Sequence, residues 1–220
     1  MSSGRSAAAV AALLAALAAL AIVFVDVPLA RVVARLPGGV HAVFREGTSA
    51  LDFVSGKAFA DTGLGSCLLV LALGAWLRPA WRPLAKLLVL VALSNLLAHL
   101  LAGVLKPVFG RLRPFQIEAS GWDDRFFAGG SSFPSGHTAF YWGLALPLAW
   151  ALPRWRWVAL LPALFISAAR VLVNHHFAGD VLASMAIALA VSAALIALFE
   201  RGAKLAPFGE GHRRTLSRGL

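Results

Sequence analysis

Residues 86–105 read KLLVLVALSNLLAHLLAGVL. Behind the opening lysine no Asp, Glu, Lys or Arg occurs until Lys106. A helix needs about 20 mainly apolar residues to cross the roughly 30 Å hydrocarbon core of a bilayer, and this run supplies them. Ser94, Asn95 and His99 interrupt it. Polar groups at membrane depth find partners on neighbouring helices, so their expected role is contact inside a bundle.

Five further apolar runs flank this one, at roughly 7–25, 62–77, 138–152, 157–173 and 181–199. The first resembles a signal-peptide core, but it is long for one, and VDVPLA is a poor cleavage site, so a retained span is expected. The run at 138–152 would span only about 22 Å at 1.5 Å per residue, short of the full core. Composition agrees with a membrane protein. The 220-residue chain is 60% hydrophobic and 14% charged, with mean hydropathy +0.79; soluble domains run about 45–50% and about 25%. The expected fold is all-α, a polytopic bundle of six transmembrane helices forming one domain over 1–199. A basic cytoplasmic tail follows over 200–220. Residues 26–61, between the first two spans, predict one or two short amphipathic helices at the interface.

The net charge is +10, yet the cations sit in short patches between apolar runs, with no zinc-finger spacing or aromatic RNA platform. Nucleic acid is therefore not an expected partner; topology and anionic lipid explain the charge. Arg5, Arg78, Arg82, Lys86, Arg154, Arg156, Arg201, Lys204, Arg213, Arg214 and Arg218 collect on one side. On the other side the cations are interspersed with Asp26, Glu46, Asp52, Asp61, Glu118, Asp123 and Asp124. Short basic turns mark the cytoplasm, so both termini are expected there. Trp76, Trp81, Trp150, Trp155 and Trp157 flank the same turns as interfacial anchors. Cys67 is the single cysteine; no disulfide can form within the chain, and a buried, inert thiol is expected.

With those crossings, one set of ionisable residues falls at the non-cytoplasmic span ends: Lys106, Arg113, His137, Arg170, His176 and Asp180. Charges at membrane depth are costly and usually functional. Lys106, Arg113 and Arg170 ask for a multiply charged anion, the arginines as planar forks and the lysine as a point charge. Ser135 can donate a hydroxyl hydrogen bond and Gly136 allows close backbone approach. A helix starting at His137 would aim its free N–H groups at the same anion, which points to phosphate. His176 and Asp180, four apart, would share a helical face. The carboxylate could then hold one imidazole nitrogen and leave the other free as a nucleophile. His137 is placed to protonate a leaving alkoxide. No dense carboxylate cluster for two metals is visible, so the cations are expected to neutralise developing charge without metal or cofactor. His175 would point about 100° away from that face and be interfacial.

K-x6-R-P over 106–114, PSGH over 134–137 and R-x5-H-x3-D over 170–180 resemble, in order, the three signature motifs of the type 2 phosphatidic acid phosphatase family. The resemblance covers about residues 60–199. Ala169 stands where that family usually has Ser before the motif arginine, with Ser167 two residues back. The resemblance implies metal-independent phosphoester hydrolysis through a phosphohistidine. His176 would be the nucleophile, Asp180 its support and His137 the acid, then the base for water. Lys106, Arg113, Ser135, Gly136 and Arg170 would hold the phosphoryl oxygens. It implies an integral-membrane enzyme with a six-helix core and a lipid phosphate or diphosphate as substrate; with the crossings assigned above, the expected place is a bacterial inner membrane with the site facing the periplasm or exterior. Undecaprenyl diphosphate, phosphatidylglycerol phosphate, phosphatidate and lipid A 1-phosphate are candidates. Residue types leave three alternatives: phosphotransfer to another lipid, a metal-dependent hydrolase using His137, His175, His176 and Asp180 as ligands, and an anion carrier. In the 115–133 loop, Trp122, Phe126 and Phe127 are expected to dip into the interface, and Asp123 and Asp124 to repel extra phosphates.

Overall fold

The computed structural model describes residues 2–203, so most of the expected tail over 200–220 lies outside the described residues. The helices are α1 (Ser2–Phe24), α2 (Asp26–Ala34), α3 (Gly38–Val54), α4 (Gly63–Trp76), α5 (Arg82–Phe109), α6 (Pro114–Ala119), α7 (Gly136–Ala151), α8 (Arg156–Leu172) and α9 (Ala178–Ala203). Tight turns over Pro79–Trp81 and Pro153–Trp155 lead into α5 and α8. Among the described residues there is no strand.

Each of the six apolar runs forms a helix. Among the described residues four stretches are long and apolar enough to cross a membrane: Ser6–Phe24, Pro79–Ala119, Pro153–Leu172 and Ala178–Arg201. At 14 and 16 residues, α4 and α7 are shorter than a full crossing, so length supports four of the expected six spans. Proline sets these limits. The residue before a proline is driven out of the helical region; Arg78 before Pro79 is extended, and Leu152 before Pro153 sits at φ −121°, ψ 68°. The expected helices of 26–61 are α2 and α3, and α3 is 17 residues long.

Small residues let the central helices approach closely. Ala98 and Ala102 of α5, Ala139 of α7 and Ala188 of α9 form one fully buried cluster. A Cβ added to Gly143 would lie 2.8 Å from Asn95 Cα. The polar groups inside residues 86–105 bond across helices, as expected. Ser94 Oγ lies 2.7 Å from Ser192 Oγ on α9, and Asn95 Nδ2 donates to the Phe140 carbonyl on α7 at 2.9 Å. Along the outside, α1 packs on α9. Helix α3 lies against α8, where the Phe44 and Phe165 rings stack at 5.7 Å and His41 Nδ1 donates to Leu172 O.

The expectation for Cys67 is corrected: it is exposed. Helix α4 buries only the face carrying Gly65, Ala72 and Ala75, and Cys67 lies off that face. Trp76, Trp81, Trp155 and Trp157 are exposed around the two proline turns, with Arg78 over Trp81 and Arg156 over Trp157.

Candidate active site

All eight residues singled out for the site lie at one end of the bundle, where α5 and α8 finish and α7 and α9 begin. Helix α5 ends at Gly110, a left-handed cap at φ 52° whose N–H bonds Lys106 O; glycine takes that conformation without strain. The chain then turns through Arg111 to Arg113 and into α6. Lys106 Nζ donates to Ser131 O at 2.6 Å and Arg113 donates to Ser131 Oγ at 3.3 Å. One serine of the Gly/Ser loop therefore gathers both cations.

Helix α7 starts at Gly136, one residue before the expected start. Ser135 is its N-cap: Oγ accepts from Thr138 Oγ1 at 3.0 Å and from Thr138 N at 3.5 Å. A Cβ on Gly136 would meet Lys106 Cε and His99 Cε1 at 3.6 Å each, so the lysine stem passes over the start of α7. His99 Nδ1 donates to the Gly136 carbonyl at 3.2 Å, the interhelical contact expected of it.

His176 and Asp180 are paired, but not on one helix. The chain leaves α8 through Asn174, at φ 57°, and α9 begins only at Ala178. His176 Nδ1 is 3.5 Å from Asp180 Oδ2, and this buried nitrogen has no closer partner. Burial pulls the His176 imidazole down to about 3, against the attraction of Asp180 and with the fields of Arg170 and Lys106. The ring is thus neutral at ordinary pH, the form a nucleophile requires.

Asp180 is fully buried and held on every side. Oδ1 accepts from Arg111 at 2.7 Å; Oδ2 accepts from Ser132 Oγ at 2.5 Å and from the Phe177 N–H at 3.0 Å. The last bond also caps α9, whose first turn favours a carboxylate. Arg111 was not singled out in the sequence. It has no exposed surface, pairs also with Asp26 at 2.9 Å and with Asp124, and lies 3.9 Å from the Phe177 ring centre.

Arg170 donates to His175 Nδ1 at 2.9 Å, and its buried Nε has no partner. His175 is therefore not simply interfacial; it steadies the arginine. Burial, then Arg170, Arg113 and Arg45, pull the His175 ring down to about 4, which keeps it an acceptor. Ser167 does not replace the serine missing at Ala169. Its hydroxyl accepts from Trp142 Nε1 and donates to Ala163 O within the bundle.

His137 has a partner that sequence reasoning missed. Its Nε2 lies 2.9 Å from Asp52 Oδ2, on α3. The loop expectations need correction too. Asp124 is spent on Arg111 and Asp123 on Arg125, so neither is a free charge. Trp122 packs with Ala30, Ile117 and Phe177, and Phe126 packs beside Arg111; Phe127 alone of the three rings is exposed, at 78%. Among the described residues no group of three or more His, Cys, Asp or Glu is arranged to hold a metal, so the four ligands of the metal-dependent alternative are not brought together as a metal site.

A family model described as the PAP2 superfamily matches residues 83–203, more than half of the chain. The chain belongs to the PAP2 superfamily. That match runs from α5 to α9 and contains all eight site residues. It leaves out α1 to α4, and with them Asp26 and Asp52. The chain is also 34% identical over 117 residues to a protein described as lipid A 1-phosphatase from Rhizobium johnstonii. The shared stretch covers 50% of this chain and 48% of that relative, so the chain matches about half of the relative's length. No solved structure matches.

Proposed function

We propose that this PAP2 member is an integral-membrane phosphatase that removes phosphate from a lipid phosphate or diphosphate through a phosphohistidine on His176. The observation that carries the reading is the meeting of Lys106, Arg113 and Arg170 with a neutral, carboxylate-backed His176 at one end of the bundle.

Asp180 faces Nδ1, so Nε2 is the nitrogen that attacks phosphorus. The N–P bond forms as the P–O bond breaks, and the leaving oxygen takes both electrons and a proton from His137. In the second half His137 accepts a proton from water, whose oxygen attacks phosphorus. The N–P electrons return to Nε2 and inorganic phosphate leaves. Lys106, Arg113, Arg170 with its unpaired Nε, and the first-turn N–H groups of α7 hold the phosphoryl oxygens and neutralise the charge that builds on them.

In this reading all six apolar helices cross the membrane, α4 and α7 as short spans, and both termini are cytoplasmic. The site then opens on the outer face of a bacterial inner membrane, at headgroup depth, where a lipid's phosphate lies. The relative's description makes lipid A 1-phosphate the first substrate to try, beside undecaprenyl diphosphate, phosphatidylglycerol phosphate and phosphatidate. Phosphate release by the purified protein across these four lipids, with chelator present, tests the reading. Full activity of His176→Ala would end it. Phosphate appearing on a second lipid, not in water, would make the enzyme a phosphotransferase using the same site.

A further inference from the structure

We infer that Asp52 is a positioning residue for the leaving-group step: its carboxylate fixes the His137 ring and stabilises the proton-donating form. The inference rests on the reading of His137 as the acid. It adds a residue from α3, outside the matched segment 83–203.

Both carboxylate oxygens of Asp52 are committed toward α7. Oδ2 accepts from His137 Nε2 at 2.9 Å and Oδ1 accepts from Tyr141 Oη at 2.9 Å. His137 and Tyr141 are four apart on one helix and so share a face. Together they grip the carboxylate as a two-pronged clamp. Ser55 completes it, its Oγ 3.0 Å from Tyr141 Oη. Helix stability does not explain the acid: Asp52 lies in the last turn of α3, where the helix dipole disfavours negative charge. Burial pushes Asp52 up, but the bonds from His137 and Tyr141, with Lys57 nearby, hold it below the usual carboxylate range.

The charges around His137 give this carboxylate a task. Arg170 of α8 and Lys57, beyond the end of α3, act on the ring as cations. His175 and Asp61 also lie within electrostatic reach. Asp61 is bound to Lys57 and His175 to Arg170. Asp52 is thus the carboxylate in hydrogen-bond contact with a ring that must become imidazolium beside two cations. With Nε2–H bound to Asp52, Nδ1 is left to carry the transferred proton. The leaving oxygen takes it as the P–O bond breaks, and water returns it in the hydrolytic half. The two histidines therefore use opposite nitrogens: His176 is backed at Nδ1 and attacks through Nε2, while His137 is backed at Nε2 and donates through Nδ1.

A group that acts on the leaving oxygen matters in proportion to how badly that oxygen leaves. Asp52→Asn, Asp52→Glu and Tyr141→Phe are compared with wild type on two substrate classes. Phosphatidate and phosphatidylglycerol phosphate release an alkoxide that needs a proton; p-nitrophenyl phosphate and undecaprenyl diphosphate release groups that do not. Read as kcat/KM, which reports only the steps through P–O cleavage and not the later attack of water, Asp52→Asn is expected to lose roughly 10²-fold or more on the first pair, in the range of general-acid effects, and less than about threefold on the second. Asp52→Glu recovers part of that loss, and Tyr141→Phe shows the same selectivity more weakly. Equal loss of kcat/KM on both classes, or none on either, overturns the inference while leaving the phosphatase reading intact. A His176→Ala protein that stays fully active removes the phosphatase reading itself.

Discussion

Arg111 Nη1 lies 2.7 Å from Asp180 Oδ1, and neither side chain has any exposed surface. The same guanidinium reaches Asp26, where α1 meets α2, and Asp124, in the loop after α6. One buried cation thus joins three carboxylates from three parts of the chain. Asp26 Oδ1 in turn accepts the Gly179 N–H at 2.8 Å, in the first turn of α9. Through Asp26 and Arg111 the two N-terminal helices, which lie outside the matched segment, are tied to the carboxylate behind the candidate nucleophile.

Removing Arg111 should therefore cost stability before it costs chemistry. Breaking a buried ion pair typically costs about 3–5 kcal/mol, because the remaining charge is left without compensation. Here three carboxylates would be left. Arg111→Met should melt well below wild type in detergent, followed by size exclusion after heating. Arg111→Lys should lie between them, since a point charge cannot serve the carboxylates as a planar fork does. Melting of Arg111→Met at the wild-type temperature would show that the network contributes nothing net.

Asp180→Asn should separate support of the nucleophile from binding. An amide keeps the volume and can still accept one bond, so α9 stays capped in part. It cannot offer an anion to His176. The expected result is a fall in kcat of roughly 10²–10⁴-fold with little change in KM, the pattern of a group that acts in the transition state. An unchanged kcat would mean that the 3.5 Å approach to His176 has no part in the reaction.

The groups legible in the sequence were those marked by the edge of an apolar run. Lys106, Arg113, His137, Arg170, His176 and Asp180 each sit where hydrophobicity stops, so one membrane face could be inferred for all. The four-residue spacing selected His176 although the assumed helix is absent there; the turn at Asn174 reaches the same pairing by another route. What stayed hidden depends on long-range partners. His137 and Asp52 are 85 residues apart and Arg111 and Asp180 are 69 apart. Nothing local distinguishes Asp52 or Arg111 from a solvated surface charge, and the same holds for Asp124, which the sequence offers as a free acid. Cys67 was misread because an apolar run does not say which of its faces meets another helix.

The two histidines after α8 make stability fall in acid. Their folded values, about 3 for His176 and about 4 for His175, lie below the ordinary 6.5, burial being the larger cause in each. The unfolded chain therefore binds more protons below pH 6.5. The stabilisation is complete above about pH 6.5 and is lost as pH falls toward 4. Each proton taken up contributes at most about 1.4 kcal/mol per pH unit. The melting temperature of wild type should drop between pH 6.5 and 4, and His175→Gln should drop less steeply. Parallel curves for the two proteins would show that His175 is not held neutral.

Gly136→Ala should leave the fold intact while damaging the site. An added Cβ meets Lys106 Cε and His99 Cε1 at 3.6 Å and His99 Nδ1 at 3.9 Å, ordinary van der Waals separations. Gly136 opens α7 without a positive φ, so alanine fits the backbone. Replacing a glycine where the new residue fits typically stabilises by about 0.4–1 kcal/mol through the unfolded chain. The methyl nevertheless takes up space beside the Lys106 stem at the start of α7, where in the proposed reading a phosphoryl oxygen approaches. The melting temperature should hold or rise slightly, while kcat/KM on a lipid phosphate falls by about tenfold or more, a loss of about 1.4 kcal/mol of transition-state binding. Unchanged kcat/KM would remove Gly136 from the phosphate cradle, and a lowered melting temperature would make its role structural.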